Sequence, residues 1–187
     1  MLATLTLRRH EAMGQGLPMR LRGLTLIELM VTVAIIAVLL VLVVPSFNIF
    51  LARSRLTGAA EALAQDLQFA RSEALRSNAD VTLSLSPGDP WCFGSVPGNT
   101  ACDCTTLNAC TLRRVDSNAY MGVTMAAPTT FAGNATTFTA RLGVANAGVV
   151  EFTHPDVIGT ALRVRLGAAG QVSICSTVGA LGPHPAC

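Results

Sequence analysis

Glu28 is the residue whose surroundings ask most of it. It is the one charged side chain in the apolar run from Leu24 to Val44. An ionised carboxylate within hydrocarbon costs at least about 2.5–3.5 kcal/mol, so an acid kept there reads as functional. The six cysteines, Cys92, Cys102, Cys104, Cys110, Cys175 and Cys187, form a second set with chemistry. An even number of cysteines in an oxidising compartment reads as disulfides, whose connectivity spacing does not decide. We expect Cys175 to pair with Cys187 and the other four to pair among themselves. The rival is a zinc site built from Cys92, Cys102, Cys104 and Cys110. Zinc sites favour cysteine pairs separated by two to four residues, and Cys102-Asp103-Cys104 is tighter than that. Two arginine pairs, Arg163 with Arg165 and Arg113 with Arg114, could meet phosphate.

Enzymatic chemistry finds little support. His154 precedes Pro155, and His184 lies in Gly-Pro-His-Pro. Both read as solvated loop residues rather than bases or ligands. A triad drawn from His154, Asp156 and some serine has no motif behind it, and neither a Gly-x-Ser-x-Gly, a His-Glu-x-x-His nor a P-loop occurs. We expect no enzyme activity, cofactor or metal.

These residues need elements to hold them. A helix over 24–44 rises roughly 30 Å, the hydrocarbon thickness of a bilayer. A buried core helix is rarely apolar all round for so long. A secretory signal has a shorter apolar region, followed by its cleavage site. Here the small residue, Gly23, comes first, so the run reads as a membrane span.

Charge agrees with that reading. All 13 basic residues are Arg, and Arg8, Arg9, Arg20 and Arg22 precede the span with a single acid, Glu11. Arginines flanking a span stay cytoplasmic, so the cysteine-bearing part faces the periplasm. The remainder is close to neutral, which does not favour nucleic acid as a partner.

Beyond Pro45, Leu56, Ala60, Leu63, Leu67, Ala70 and Ala74 repeat at helical spacing. Arg53, Arg55, Glu61, Asp66, Arg71, Glu73 and Arg76 read as polar faces. A helix over about 24–78 follows, ending at Asn78. Period-two alternation then predicts strands over 81–86, 112–115, 122–126, 136–142, 148–153, 162–166 and 171–175. Residues 87–90 and 167–170 read as turns, 91–110 as a cysteine-rich loop, and 176–187 as a loop pinned by Cys187.

Gly23-Leu24-Thr25-Leu26-Ile27-Glu28-Leu29, with its basic flank and apolar run, resembles the class III signal of type IV prepilins and type II secretion pseudopilins. The resemblance implies cleavage by a prepilin peptidase between Gly23 and Leu24, and methylation of the new amine at Leu24. It implies that Glu28 pairs with the amine of a neighbouring subunit during assembly, and that Pro45 kinks the helix. The usual residue after the cut is Phe, so Leu24 is a departure. Met19 starts a leader of the usual short kind, which makes it a rival to Met1 as the translation start.

The segments 70–78 with 81–83, and 162–165 with 170–175, resemble the GspH/FimT family of minor pilins and pseudopilins. That likeness implies an α+β, type IV pilin-like fold, with a long N-terminal helix packed on antiparallel β-sheets. It divides the chain into a leader (1–23), a transmembrane or filament-core helix (24–45), an amphipathic helix (46–79) and a disulfide-stapled periplasmic domain (80–187). The implied partners are other pilins or pseudopilins, the prepilin peptidase, an inner-membrane assembly platform and inner-membrane lipid. Some FimT-type pilins are DNA receptors whose tail resembles Gly-Arg-x-Arg. Here the matching place reads Gly170-Gln171-Val172-Ser173, which leaves Arg163 and Arg165 as the DNA-contact candidates.

Overall fold

The computed structural model describes residues 25–187, apart from the side chains of 41–45. The leader, the cleavage pair Gly23 and Leu24, and part of the apolar run therefore lie outside the described residues. Among the described residues no helix is long and apolar enough to cross a membrane.

One helix, α1, spans Leu26–Ser77. It stops where expected: Asn78 takes the left-handed conformation, at φ 50°, which terminates helices at little cost for asparagine. The last turn is closed by Arg76, which pairs with Glu73 at 2.8 Å, and by the Ser77 hydroxyl, which donates to the Glu73 carbonyl. The boundary between the two compact units of the chain falls between Val41 and Leu42.

In the second unit two four-stranded antiparallel sheets follow the helix. The first contains β1 (Val81–Ser86), β2 (Cys92–Pro97), β3 (Arg113–Asp116) and β5 (Ala135–Phe138), in the order β3-β2-β1-β5. The second contains β4 (Thr124–Met125), β6 (Gly148–Thr153), β7 (Leu162–Leu166) and β8 (Val172–Ser176), in the order β4-β6-β7-β8. The fold is α+β.

All six residues of the expected helical stripe are buried, joined by Ala52, Ala59 and Ala64. They share one core with Val81, Leu83, Phe93 and Phe138 of the first sheet and Val150, Phe152, Leu162 and Val164 of the second. The many alanines let the sheets approach the helix axis. The leucines supply apolar area, about 1.5–3 kcal/mol for each one fully buried. Arg71 ties helix to sheet by donating to the Gly170 carbonyl. Gly170 must be glycine, since its φ is +77° and a Cβ there would meet the Gly143 carbonyl and Arg71.

Trp91 joins the two sheets. It stacks on Phe93 of β2, meets Phe152 of β6 edge-on at 5.4 Å, and donates its indole N–H to the Val123 carbonyl at 2.7 Å. A β-bridge between Gly88 and Met125 adds a backbone link.

The structure corrects several expectations. Residues 91–110 are not all loop: 92–97 form an inner strand between β1 and β3. The strand expected over 136–142 ends at Phe138, because 139–143 turns back with Gly143 donating to the Thr139 carbonyl. The strand expected over 122–126 shrinks to two residues. Asp66, read as part of a polar face, is buried. The tail lies along β8, where Ser176 donates to Pro185 and accepts from Cys187.

Candidate functional site

The start of α1 is built by its own sequence. Thr25 stands just outside the helix, and its hydroxyl accepts from the Glu28 N–H at 3.3 Å. Its carbonyl takes the first helical bond, from Leu29. Thr-x-x-Glu is the spacing of a capping box, in which hydroxyl and carboxylate serve the free N–H groups of the first turn. Glu28 is the acid of that turn, where the partial positive charge of the helix end favours an anion. The hydroxyl half of that box is formed, and its spacing is legible in Thr25-Leu26-Ile27-Glu28.

Over 26–40 every side chain is exposed, and Glu28 and Thr32 are the polar ones. Thr32 donates its hydroxyl to the Leu29 carbonyl at 2.9 Å, so it offers no unmet donor to apolar surroundings. A helix apolar all round requires an apolar environment on every side. Leu24, the proposed amine partner of Glu28, is outside the described residues. α1 continues through Pro45, whose side chain is likewise outside them.

The six cysteines form three disulfides: Cys92–Cys104, Cys102–Cys110 and Cys175–Cys187. The first two fold the loop after β2 over the face of the first sheet that points away from α1. Ser84 of β1 accepts from the Cys102 N–H, and Arg114 donates to the Cys104 carbonyl. Gly94 of β2 leaves the needed room, since a Cβ there would lie 2.7 Å from Cys110. With their sulfurs paired, the four cysteines offer no thiolate to zinc. Among the described residues no group of three or more His, Cys, Asp or Glu could hold a metal ion.

Arg163 and Arg165 alternate onto the open face of β7. Arg163 sits opposite Glu151 of β6 and pairs with it at 2.7 Å. Arg165 sits opposite Val149 and Ser173. The strand register therefore neutralises half of the expected basic pair. The Arg113 and Arg114 pair is no basic spot either. Arg114 pairs with Asp116 at 3.0 Å. Arg113 crosses to the helix, with Nε 3.0 Å from Asp66 and its guanidinium over the Phe69 ring.

Sequence reasoning missed the groups that bind sheets to helix. The Asp66 side chain is 1% exposed, and neither of its oxygens has a well-directed hydrogen bond. Burial pushes its carboxyl above the usual range, against the opposing pull of Arg113. Burial also raises Tyr120, helped by Asp66 and Glu61. His154 is buried rather than solvated: its Nδ1 accepts from the Asp156 N–H, and its ring packs where Gly122 has no side chain. His184 lies 3.4 Å from Glu61. Arg113 for Asp66, Gly122 for the His154 ring and Glu61 for His184 are all distant in sequence, so no local pattern signals them.

The chain is similar to known proteins at both ends. The family model of the type II transport protein GspH matches residues 59–170, and the prokaryotic N-terminal methylation motif matches residues 18–44. Among solved structures, the type IV minor pilin FimU of Pseudomonas aeruginosa is 23% identical. That match covers 67% of this chain and 91% of that one, with a TM-score of 0.50. The minor pseudopilin EpsH from the Type 2 Secretion System of Vibrio cholerae is 11% identical, covering 66% of this chain and 98% of that one, with a TM-score of 0.48. No curated protein sequence matches the chain.

Proposed function

We propose, for a chain that belongs to the type II transport protein GspH family, the role of a minor pilin or pseudopilin assembled through its N-terminal helix. In this reading 1–23 is a leader removed by prepilin peptidase, and Leu24 is the methylated first residue. Residues 24–45 anchor the subunit in the inner membrane and later line a filament core, with a kink at Pro45. The amphipathic helix (46–79) carries a periplasmic domain over 80–187. The observation that carries the reading is the occurrence on one chain of the methylation motif and, after it, the family match.

In the membrane the apolar side chains of 26–40 meet lipid. In a filament they meet the same helix of other pilins. Glu28 is then the one charge that must find a partner, and the Leu24 amine of a neighbouring subunit is the cation that cleavage creates. Breaking such a buried pair costs about 3–5 kcal/mol, at least a hundredfold in incorporation. Glu28→Ala should therefore still be cleaved, seen as the mature band on an immunoblot, yet be depleted from sheared filaments or from the copurified complex. Normal incorporation of Glu28→Ala refutes the role. Deleting the gene and scoring exoprotein secretion, twitching motility and DNA uptake side by side separates a type II secretion pseudopilus from a type IV pilus.

A further inference from the structure

The second unit exposes an apolar cluster where its helix begins. Phe47, Ile49 and Phe50 are exposed on α1, and Ile158, at 91%, is the most exposed large apolar side chain of the described residues. Ile158 tips the loop between β6 and β7. That loop is held from beneath: His154, Val157 and Ala161 are buried, Val157 donates to the His154 carbonyl, and Thr160 donates to that of Val157. Ile158 and Pro155 share with Ile49, Ala52 and Arg55 the walls of a surface groove of about 500 Å³. On the helix's other flank Phe50 and Arg53 line a second groove with Leu181.

The apolar run of the sequence ends at Val44. At 1.5 Å per residue Phe47 stands about 4.5 Å beyond it, Phe50 about 9 Å, and Arg53 and Arg55 about 14–17 Å. The headgroup layer on each side of the hydrocarbon is roughly 5–8 Å deep. Helix tilt lowers these heights, and the long Arg side chains reach back across several ångströms. Phe47 and Ile49 thus fall at headgroup depth and Phe50 at its outer boundary, with Ile158 beside Ile49 and two cations a turn further out. An apolar cluster rimmed by cations, on a braced loop, fits a lipid surface.

We propose that the Ile158 loop, together with Phe47, Ile49 and Phe50, seats the periplasmic domain on the membrane, with Arg53 and Arg55 meeting lipid phosphates. This second contact holds the unassembled subunit in one orientation and must be released before the subunit enters a filament. It rests on reading 24–45 as the membrane span, and the experiment tests the two separately.

The full chain is reconstituted at low density in phosphatidylethanolamine–phosphatidylglycerol vesicles, with or without brominated acyl chains. Three variants are compared: Ile158→Trp; Ile36→Trp within the apolar run; and Leu107→Trp, exposed in the cysteine loop. The expected result is that brominated lipid quenches the added emission of Ile158→Trp and Ile36→Trp, and leaves that of Leu107→Trp unchanged. Quenching of Ile36→Trp without Ile158→Trp overturns the seating and leaves the span intact. Quenching of neither overturns both. Quenching of Ile158→Trp that appears only at high protein density assigns the cluster to a neighbouring subunit and overturns the lipid contact.

Discussion

Asp66 shows how one residue can hold two elements together at a cost. It is almost fully buried and its counter-charge, Arg113, comes from β3. Burial outweighs Arg113 and raises the carboxyl's folded pKa. The sign follows from linkage: a group that binds its proton more tightly when folded contributes stability fully present below its unfolded pKa, and loses it as pH rises through the folded one. Ionised Asp66 therefore burdens the fold at neutral pH. Asp66→Asn should be as stable as the parent or more so at pH 7, and the difference should shrink as pH falls towards 4, read by denaturant unfolding across that range. Arg113→Ala removes a half-exposed counter-charge and its stacking on the Phe69 ring, and should destabilise by about 1–2 kcal/mol. The sequence hid this pair because a charge on a periodic helix reads as a solvated face. The apolar stripe itself was legible, since 56, 60, 63, 67, 70 and 74 each contribute a buried side chain at an unbroken spacing.

At the level of elements, β2 is the instructive failure. Cys92-Phe93-Gly94-Ser95-Val96-Pro97 carries a glycine, a proline and a cysteine, the usual marks of a loop, and yet forms an inner strand. Gly94 is there for the cysteine loop: Cys110 occupies the space of its missing side chain, and the Arg113 carbonyl stands 2.9 Å from where a Cβ would be. Gly94→Ala would ordinarily favour the folded chain by lowering unfolded-state entropy. Here we expect it to destabilise by about 1–3 kcal/mol, the cost of overpacking, measured as a lower denaturation midpoint at unchanged slope. By contrast β6 and β7 were legible residue by residue. Gly148, Val150 and Phe152, like Leu162, Val164 and Leu166, face the core in strict alternation, and a one-residue slip would turn every one of them outward. The tail was half legible. Cys187 pins it, as expected, but the backbone bonds that lay 185–187 along β8 need a neighbour that local sequence does not reveal.

For the molecule as a whole, charge is the coarse variable that sequence reads best. The basic excess sits ahead of Leu24, and beyond it nine arginines face ten acids. The structure adds that Arg76, Arg113, Arg114 and Arg163 are each paired with a carboxylate. Phosphate contacts gain affinity by releasing counterions, with a steep dependence on salt, and paired arginines have little of that to give. The chain from Leu24 on, freed of its arginine-rich leader, should therefore retain duplex DNA no better than a neutral protein at about 0.15 M salt in a filter-binding assay. Salt-dependent retention lost in Arg163→Ala with Arg165→Ala would overturn that expectation. The disulfides were legible at the cysteines, where residue type alone constrains chemistry, while the role proposed for Glu28 rests on its being the one charge in the apolar run. The candidate site was not legible at Ile158, whose meaning depends on a loop returning to the helix beside Ile49.

The chain has a single tryptophan, and Trp91 stands at the seam of the two sheets, between Phe93 and Phe152. Its emission therefore works as a gauge of one event, the docking of sheet on sheet. A perturbation confined to the cysteine loop or to the tail would leave the emission maximum unmoved. One that parts the sheets would shift it to the red, even with α1 and every disulfide still formed. The protein thus carries its own optical probe of whether its two halves are closed upon each other.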